Sequence, residues 1–411
     1  MADVSPVTLG ARAERMINTL GSVSAEPNRL VRTFLSPAHR EAADLVSKWM
    51  QDAGLAVSED ALGTVRGSLA DSGNRRLLIG SHIDTVVEAG MFDGPFGVIA
   101  GILAAEHFAK AGRKLPFGID VLAFGDEEGV RYSATLASSS ACAGNFDFST
   151  LELVDSDGVT LAQAITRYGN NPADIAAAAY APGSVAAYVE VHIEQGPVLE
   201  VRNQPLGVVN SIAGQTYLNV EFLGEAGHAG TVPMLLRRDA LSGAAEAILI
   251  AERMARDTKG EVVATVGHIN VPAAASNVIA GNVALTVDIR SGSDAARLQF
   301  VEGFKAEART IAEKRHLGLS VMTTRNIATT PCDPAIQEGF AAAIKAVGGE
   351  QLKLASGAGH DGTAMAKLCP VGMLFVRCRG GISHNPAEYA SPADMGLAVA
   401  ALIKFIEGFR A

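Results

Sequence analysis

Hydrophobic and polar positions follow two different rhythms in the first part of the chain. Helical spacing covers residues 7–20, 37–53 and the alanine-rich stretch 98–111. Short apolar runs at 76–83 and 118–124 end in polar residues, as buried parallel strands do. This alternation predicts an α/β sheet with helices on both faces, and sites in such sheets lie beyond the carboxyl ends of the strands.

The pattern changes between residues 214 and 325. The predicted elements are a strand (216–223), a helix (234–256), two strands (261–269 and 282–290), a helix (294–316) and a last strand (319–324). The order βαββαβ is typical of a ferredoxin-like unit. A further strand (374–378) and a closing helix (392–409) follow it. The first domain is therefore predicted to be discontinuous, with the small unit inserted in it.

Composition narrows the class of protein. A chain of 411 residues is expected to form two or more domains. A formal net charge of −10 argues against a nucleic-acid partner. No apolar run reaches the roughly 18 to 20 residues that a membrane span needs. Four cysteines without C-x-x-C pairing, and a start without an apolar export segment, favour reduced thiols in the cytoplasm.

Five acidic and imidazole side chains stand where a predicted strand or tight turn ends. They are His82, Asp93, Glu128, His192 and His384. Three imidazoles and two carboxylates suffice for two divalent ions if one carboxylate bridges them. Such a pair polarises a carbonyl and generates hydroxide at neutral pH. The set predicts a hydrolase, although each residue taken alone is more often an ordinary histidine or acid.

The residues around this set support it. Asp84 lies two positions after His82, so on an extended segment both face the same side, and its carboxylate can fix the histidine tautomer. Asp93 lies in FDGPFG, where glycines allow a tight backbone.

Two further sequence motifs carry polar side chains, and the role of each has more than one explanation. Glu127 and Glu128 are adjacent and point in different directions, which suits a general base beside a metal ligand; a solvated acidic turn is the alternative. In YVEVHIEQG, the period of two places Glu190, His192 and Glu194 on one face. A strand that faces solvent would explain that alternation equally well.

Taken together, these words resemble the hydantoinase/carbamoylase-type amidohydrolases of the di-zinc aminoacylase and carboxypeptidase clan. That family includes N-carbamoyl-L-amino-acid hydrolases, β-ureidopropionases and allantoate amidohydrolases. The resemblance extends over essentially the whole chain. The matching words are GSHIDTV, DEEGVR, HIEQGPVLE, GEAGHAGTVPM, SNVIAG, VDIR, SGAGHDG and GISHNP.

The resemblance implies a metal arrangement. One ion takes His82, Asp93 and His192, and the other takes Glu128 and His384 with Asp93 as the bridge. The neighbouring Glu127 then activates the bridging water. Zn is the first choice, and Mn, Co or Ni suit an N/O site of this kind.

The inserted domain supplies substrate-binding groups by the same resemblance. His228 serves catalysis by steadying the oxyanion, while Asn277 and Arg290 bind the substrate. A guanidinium fork matches a carboxylate, and an imidazole donor stabilises developing charge. Gln195 and His360 are candidate pocket residues. An ordinary loop histidine, a turn-forming asparagine and a surface arginine remain the alternatives.

The resemblance also implies the architecture. A three-layer α/β catalytic domain on a mixed sheet comprises residues 1–213 and 326–411, and a ferredoxin-like α+β lid and dimerisation domain comprises 214–325. Closure over the substrate is expected of two such domains. A homodimer through the inserted domain is implied, with His228 serving either its own or the neighbouring subunit's site.

The leading functional hypothesis is hydrolysis of the ureido C–N bond of a small carboxylate by metal-bound hydroxide. Allantoate and an N-carbamoyl-L-amino acid are the two candidate substrates. An aminoacylase or dipeptidase that cleaves an ordinary amide is the alternative within enzymes. A metal-free relative that only binds or scaffolds is the alternative from another class.

Overall fold

The computed structural model describes residues 5–69, 75–272 and 274–411. The chain divides into two compact units: unit 1 (Met1–Asn210, Cys332–Leu354 and Ala358–Ala411) and unit 2 (Ser211–Pro331 and Ala355–Gly357). The division therefore falls after residues 210 and 331, whereas the sequence pattern put it after 213 and 325. A short return segment, absent from the expected boundaries, also belongs to unit 2.

The helices include each one that the sequence predicts, and apart from the start of α7 the predicted bounds are close to the observed ones. In chain order they are α1 (Pro6–Gly21), α2 (Pro37–Asp52), α3 (Pro95–Ala111), α4 (Ala137–Cys142), α5 (Leu161–Tyr168), α6 (Val198–Val201), α7 (Ala240–Asp257), α8 (Asp294–Lys314), α9 (Pro334–Ala346), α10 (Gly362–Met365) and α11 (Pro392–Gly408). Three of them start at a Ser-Pro pair, in which the serine hydroxyl caps the helix and proline occupies its first turn.

The strands include each one that the sequence predicts. They are β1 (Ala56–Glu59), β2 (Val65–Leu69), β3 (Arg76–His82), β4 (Gly118–Phe124), β5 (Val185–Ile193), β6 (Leu206–Ile212), β7 (Gly214–Leu223), β8 (Gly227–His228), β9 (Val262–Asn270), β10 (Val278–Ile279), β11 (Asn282–Ser291), β12 (Gly318–Ile327), β13 (Thr330–Pro331), β14 (Lys353–Ser356) and β15 (Val371–Val376).

Unit 1 is built on a mixed sheet in the order β1-β2-β4-β3-β5-β15-β6. The four central strands β4, β3, β5 and β15 are mutually parallel, while β2 and β6 pair antiparallel on either side of them. The parallel strands are buried along nearly their whole length, as strands covered on both faces are. The predicted mixed α/β fold is confirmed.

Alternation along β3 shows that both faces of the sheet are covered. Leu77 and Ile79 join the core that includes α1, α3 and α11. Leu78 points to the opposite face and joins a cluster with Cys142 of α4 and Met365 of α10. The result is the predicted three-layer arrangement of helices, sheet and helices.

Unit 2 has the predicted ferredoxin-like topology. Its sheet runs β12-β7-β11-β9 with every neighbouring pair antiparallel. Numbered within the unit, this is the order 4-1-3-2. Helices α7 and α8 pack on one face of the sheet, where Phe222, Leu285 and Phe304 are among the buried side chains.

One predicted boundary in unit 2 is wrong. The sequence pattern starts a helix at residue 234, but α7 begins at Ala240. Met234–Leu236 forms a separate 3₁₀ turn, and Arg237 after it is extended. The side chain of Asp239 accepts the N–H groups of Leu241 and Ser242 and so starts the helix there. The three apolar residues of the turn are exposed, so they do not extend the buried face of the helix.

None of the helices in the described ranges combines the length and the apolar character that crossing a bilayer requires.

A fully buried arginine supports the segment that follows β3. Arg32 is 0% exposed. Its Nε donates to the carbonyl of Ile83 at 2.6 Å, and its Nη1 donates to the carbonyls of Leu20 and Val23 at 2.9 and 2.8 Å. Burial lowers the pKa of Arg32 to about 10, although the charge of Asp84 opposes that change. One side chain therefore ties the end of α1 to the His82–Asp84 turn.

We predict that Arg32→Ala destabilises unit 1 by about 3 kcal/mol or more, because three buried carbonyls lose their donor. Chemical denaturation followed by far-UV circular dichroism measures this as a lower midpoint. Arg29→Ala is the control, since Arg29 makes only exposed ion pairs with Glu26 and Glu88 and little change is expected. Equal effects of the two substitutions would contradict the supporting role of Arg32.

Candidate metal centre and active site

The parallel strands of unit 1 carry the predicted site residues to one edge of the sheet. His82 is the last residue of β3, and Glu127 and Glu128 follow β4. His192 lies one residue before the end of β5, and His384 comes after β15 and a 3₁₀ turn. Because β3, β4, β5 and β15 are parallel neighbours, their carboxyl ends meet at the same edge.

Asp93 lies at the centre of the group. Its Oδ1 is 3.8 Å from Nε2 of His82 and 3.1 Å from Nε2 of His192. Its Oδ2 is 3.2 Å from Nε2 of His384, which is also 3.5 Å from Oε2 of Glu128. Each carboxylate oxygen of Asp93 therefore faces a different set of side chains.

The hydrogen bonds of the two buried imidazoles aim their lone pairs at Asp93. Nδ1 of His192 lies 2.8 Å from the carbonyl of Ile193, and Nδ1 of His82 lies 3.1 Å from that of Asp84. Each Nδ1 is therefore assigned as the N–H donor, and each neutral ring has an unprotonated Nε2. Nε2 of His192 makes no hydrogen bond of acceptable angle among the described residues, despite its closeness to Asp93.

This donor set fits divalent cations. Two sets of three ligand atoms surround Asp93, and within each set the atoms lie no more than 4.8 Å apart. One set comes from His82, Asp93 and His192 and the other from Asp93, Glu128 and His384. Ligands at about 2.1 Å from one ion are separated by about 4 Å at most, so little adjustment is needed. A cation among these imidazole lone pairs and carboxylate oxygens would offset the burial of so many acceptors.

Asp84 orients both sides of this site. Its Oδ1 is 3.3 Å from Nδ1 of His82. Its Oδ1 and Oδ2 accept the backbone N–H groups of Glu127 and Glu128, each at 3.2 Å. The carboxylate thus fixes the imidazole and the turn that presents the two glutamates. The spacing in GSHID predicts that Asp84 supports a metal-binding histidine, and its carboxylate has the geometry for that role.

Backbone conformation at the site is restricted. Gly94 has φ +83°, and a Cβ there would lie 2.4 Å from Cε1 of His82, so only glycine allows this approach. Gln195 and His384 have φ values of 55° and 53°, in the left-handed region that side chains rarely adopt. Such conformations persist where the surrounding structure enforces them, and they cluster at functional sites.

Burial and neighbouring charges separate the acids electrostatically. Burial alone would raise the pKa of Asp93, but the imidazoles of His192 and His384 hold it well below its usual range. Burial raises the pKa of Glu128 to about 7. Burial, together with the charge of Glu128, raises the pKa of Glu127 well above its usual range. A carboxylate with a raised pKa is suited to accept and return a proton near neutrality.

Three further side chains hold Asp93, and sequence reasoning assigned none of them this role. Gln195, expected in the substrate pocket, donates from Nε2 to Oδ2 of Asp93 at 2.7 Å. Ser383 also lies 2.7 Å from that oxygen. Glu388 accepts the N–H groups of Phe92 and Asp93 at 2.7 and 3.0 Å. The only signal was that Ser383 and Glu388 flank His384 in GISHNPAEY.

Behind His192 lies a third group of candidate ligand atoms, from Glu190, His192 and His360. The carboxylate of Glu190 already accepts the hydroxyls of Ser81 and Tyr188 at 3.1 and 3.0 Å. The ring of His360 packs edge-on against His192, with 4.5 Å between centroids. The carboxylate of Glu190 is therefore already hydrogen-bonded, and the ring of His360 supports the ring of His192. Glu190 and His192 are both buried, which excludes a strand that faces solvent.

Two predicted substrate-binding residues are neighbours in unit 2. His228 in β8 pairs with Val278 in β10, and the N–H of Ala229 donates to the carbonyl of Asn277 at 2.9 Å. Both side chains are exposed. Nδ1 of His228 accepts the N–H of Gly230 at 3.0 Å, so the neutral ring carries its proton on Nε2. His228 therefore offers a hydrogen-bond donor.

Arg290, the third of them, is already engaged within unit 2. Its Nε and Nη2 donate to the carboxylate of Asp288 at 3.0 and 2.9 Å. Nη2 also donates to the hydroxyl of Tyr217 at 3.2 Å, and Nη1 donates to the carbonyl of Gly357 at 2.9 Å. The guanidinium is held rigidly, and one N–H of Nη1 is left over from these bonds.

Comparison with known proteins agrees with this fold. The sequence model of peptidase family M20/M25/M40 matches residues 78–408. An allantoate deiminase of Arabidopsis thaliana is 40% identical, covering 98% of this chain and 83% of the relative. An N-carbamoyl-L-amino acid amidohydrolase of Geobacillus stearothermophilus is 38% identical, covering 94% and 95%. A crystal structure of a hydantoinase/carbamoylase family amidase from Burkholderia multivorans, 31% identical, superimposes with a TM-score of 0.90 and covers 97% of both chains.

The three-layer mixed sheet and the converging histidines and carboxylates define a metal-dependent hydrolase. The chain belongs to peptidase family M20/M25/M40 and, within it, to the hydantoinase/carbamoylase-type amidohydrolases. The family predicted from the sequence words is confirmed.

We predict that Asp84→Asn lowers the affinity of the protein for divalent cations by about 10- to 100-fold, the usual effect of losing an orienting partner of a metal ligand. The amide replaces one acceptor oxygen with a donor that faces another N–H. Metal content after dialysis and titration with Zn²⁺ against a chelator measure the effect. Asp120→Asn is the control, because Asp120 is equally buried but pairs with Ser68, Arg76 and Tyr180. Unchanged affinity in Asp84→Asn would refute the assignment.

Proposed function

We propose that this enzyme hydrolyses the ureido C–N bond of a small carboxylate, such as allantoate or an N-carbamoyl-L-amino acid. The observation that carries the proposal is the position of Asp93 between two sets of ligand atoms, with Glu127 beside them. The ureido group is inferred from the names of the relatives that match nearly the whole chain.

The proposed cofactor is a pair of divalent cations, Zn²⁺ first, with Mn²⁺, Co²⁺ or Ni²⁺ also suited to N and O ligands. His82 and His192 would hold one cation, Glu128 and His384 the other, and Asp93 both. When bound, such a pair polarises the substrate carbonyl and lowers the pKa of water toward neutrality.

Glu127 is proposed as the general base. It accepts the proton of the attacking water and passes it to the departing nitrogen, so that the C–N bond of the carbamoyl group breaks. The carbamoyl group is finally released as ammonia and carbon dioxide. The partly exposed position of Glu127 and the raised pKa of its carboxyl support this role.

We assign substrate binding to the polar side chains of unit 2. Arg290 is proposed to bind the substrate carboxylate, Asn277 to donate or accept beside it, and His228 to donate to the oxyanion through Nε2. His360 is proposed to serve the pocket through His192, because its ring is buried and packs against that residue. Gln195 is proposed to act mainly through Asp93, because its amide already donates to that carboxylate.

Unit 2 is proposed to act as a lid and as the contact between two subunits of a homodimer. A cytoplasmic location is also proposed, since the cysteines are buried, unpaired thiols of the kind that a reducing compartment preserves.

A substrate panel tests the reaction. The purified protein, reconstituted with each candidate metal, is assayed with allantoate, N-carbamoyl-L-amino acids, N-acyl amino acids and dipeptides, with and without chelator. Turnover of ureido compounds that chelator abolishes is expected. Activity on dipeptides or N-acyl amino acids alone would reject the ureido proposal in favour of an aminoacylase or dipeptidase. A protein that binds no metal and turns over nothing would indicate a scaffold.

We predict that Glu127→Gln keeps its metals but loses turnover by at least about 100-fold, the lower bound of a general-base contribution. Metal content and kcat are measured on the same preparation. Glu106→Gln is the control, because Glu106 is another glutamate of unit 1 but pairs with Arg12 on α1 and Lys110 on α3. Retained turnover in Glu127→Gln would remove this residue from the base role.

We predict that Arg290→Ala raises KM for anionic ureido substrates about 10-fold or more, since a charge-assisted hydrogen bond contributes about 1.5 to 3 kcal/mol. Steady-state kinetics measure KM, and thermal denaturation shows that unit 2 remains folded. Arg325→Ala is the control, because Arg325 lies over the ring of Tyr217, the residue whose hydroxyl accepts from Arg290. An unchanged KM would place carboxylate recognition elsewhere.

A further inference from the structure

The carboxylate of Glu388 joins the two chain segments that carry Asp93 and His384. Oε1 accepts the N–H of Phe92 at 2.7 Å and that of Asp93 at 3.0 Å, across 295 residues of sequence in the second case. Oε2 lies 2.8 Å from the hydroxyl of Ser383, the residue before His384. One side chain therefore fixes the backbone of one segment and the side chain of the other.

Ser383 completes a path from Glu388 to the carboxylate of Asp93. Its Oγ lies 2.7 Å from Oδ2 of Asp93, the same oxygen that faces His384. The backbone contact and the hydroxyl contact act at opposite ends of the same residue. Together they fix both the backbone of Asp93 and the rotation of its carboxylate.

The site is shaped to receive Glu388. The residue is 4% exposed, and the N–H of Glu388 donates to the carbonyl of Asn385 at 3.0 Å. A Cβ at Gly90 would lie 2.3 Å from the Cβ, Cδ and Oε1 of Glu388. The space in front of the carboxylate is therefore available only because residue 90 is glycine.

Glu388 has no place among the candidate metal ligands themselves. Neither group of ligand atoms around Asp93 includes it. Its Oε1 accepts two backbone N–H groups, and its Oε2 and Oδ2 of Asp93 share the single hydroxyl proton of Ser383. We propose that Glu388 is a positioning residue: it holds Asp93, directly through the backbone and indirectly through Ser383, so that each oxygen of Asp93 faces one set of ligands. This inference rests on the metal centre of the proposed function.

The test compares variants by their affinity for Zn²⁺ in competition with a chromophoric chelator and by the number of ions bound. Glu388→Ala is expected to bind Zn²⁺ about 10- to 100-fold more weakly, with fewer than two ions retained after dialysis. Glu388→Gln is expected to stay close to wild type. Its amide oxygen can still accept both N–H groups, and its NH₂ can donate to Ser383, which then donates to Asp93. Ser383→Ala is expected to fall between them.

Asp60→Ala is the matched control for the loss of two backbone contacts. Oδ1 of Asp60 accepts the N–H groups of Leu62 and Thr64 at 2.9 and 3.0 Å, in a turn that contributes none of the candidate ligands. It is expected to lower the melting temperature, as Glu388→Ala does, but to leave Zn²⁺ affinity unchanged. This separates positioning from a general loss of stability.

Two results would overturn the proposal. One is wild-type affinity and ion number in Glu388→Ala; the other is equal damage in Glu388→Gln and Glu388→Ala. If Glu388→Ala does not fold, Glu388→Asp and Ser383→Ala decide. An aspartate is one methylene too short to reach both segments, so unchanged Zn²⁺ affinity in both variants would be equally fatal.

The outcome is separable from that of the proposed reaction. Wild-type protein that binds two ions but hydrolyses no ureido compound would remove the proposed substrate class and leave the role of Glu388 to the Zn²⁺ titration. Wild-type turnover together with unchanged metal binding in every Glu388 and Ser383 variant would remove only the role of Glu388.

Discussion

The constraint on which this molecule depends is the convergence of hydrogen-bond acceptors on one another in a buried space. Nε2 of His82 and Nε2 of His192 both face the same oxygen of Asp93, and all three residues are at most 5% exposed. Lone pairs opposed in this way repel one another, and water cannot screen them. A bound cation would satisfy all of them at once, which fits the metal dependence of the family.

Holding these hydrogen-bond acceptors close together against their mutual repulsion requires a rigid surrounding structure. The parallel strands supply part of it, because their carboxyl ends must coincide once β3, β4, β5 and β15 pair. The rest comes from polar contacts that reach across the sequence, from Asp84 to the turn at Glu127 and from Glu388 to Asp93. Arg32 anchors the same edge from below through the carbonyl of Ile83. The geometry of the site therefore depends on the same strand pairing and long-range contacts that hold unit 1 together.

Local pattern predicted the elements and the candidate ligands, and its two failures have different causes. The run 118–124 predicted β4 with the bounds that the structure has, since a buried strand between turns leaves a clear apolar signature. The helix expected from residue 234 fails because Asp239, not hydrophobic spacing, determines where α7 begins. The role of Gln195 was missed because its partner Asp93 lies 102 residues away. Contacts of that separation leave no trace in local periodicity.

The same reasoning limits what Arg290 can contribute. Its Nε and Nη2 already hold the carboxylate of Asp288, so a substrate carboxylate either uses the remaining N–H of Nη1 or exchanges with Asp288. Because exchange with Asp288 conserves the charge-assisted bonds and adds little net binding energy, the proposed contribution of Arg290 to binding rests on the remaining N–H of Nη1. Selection between ureido and ordinary amide groups must then come from side chains near the reacting carbon.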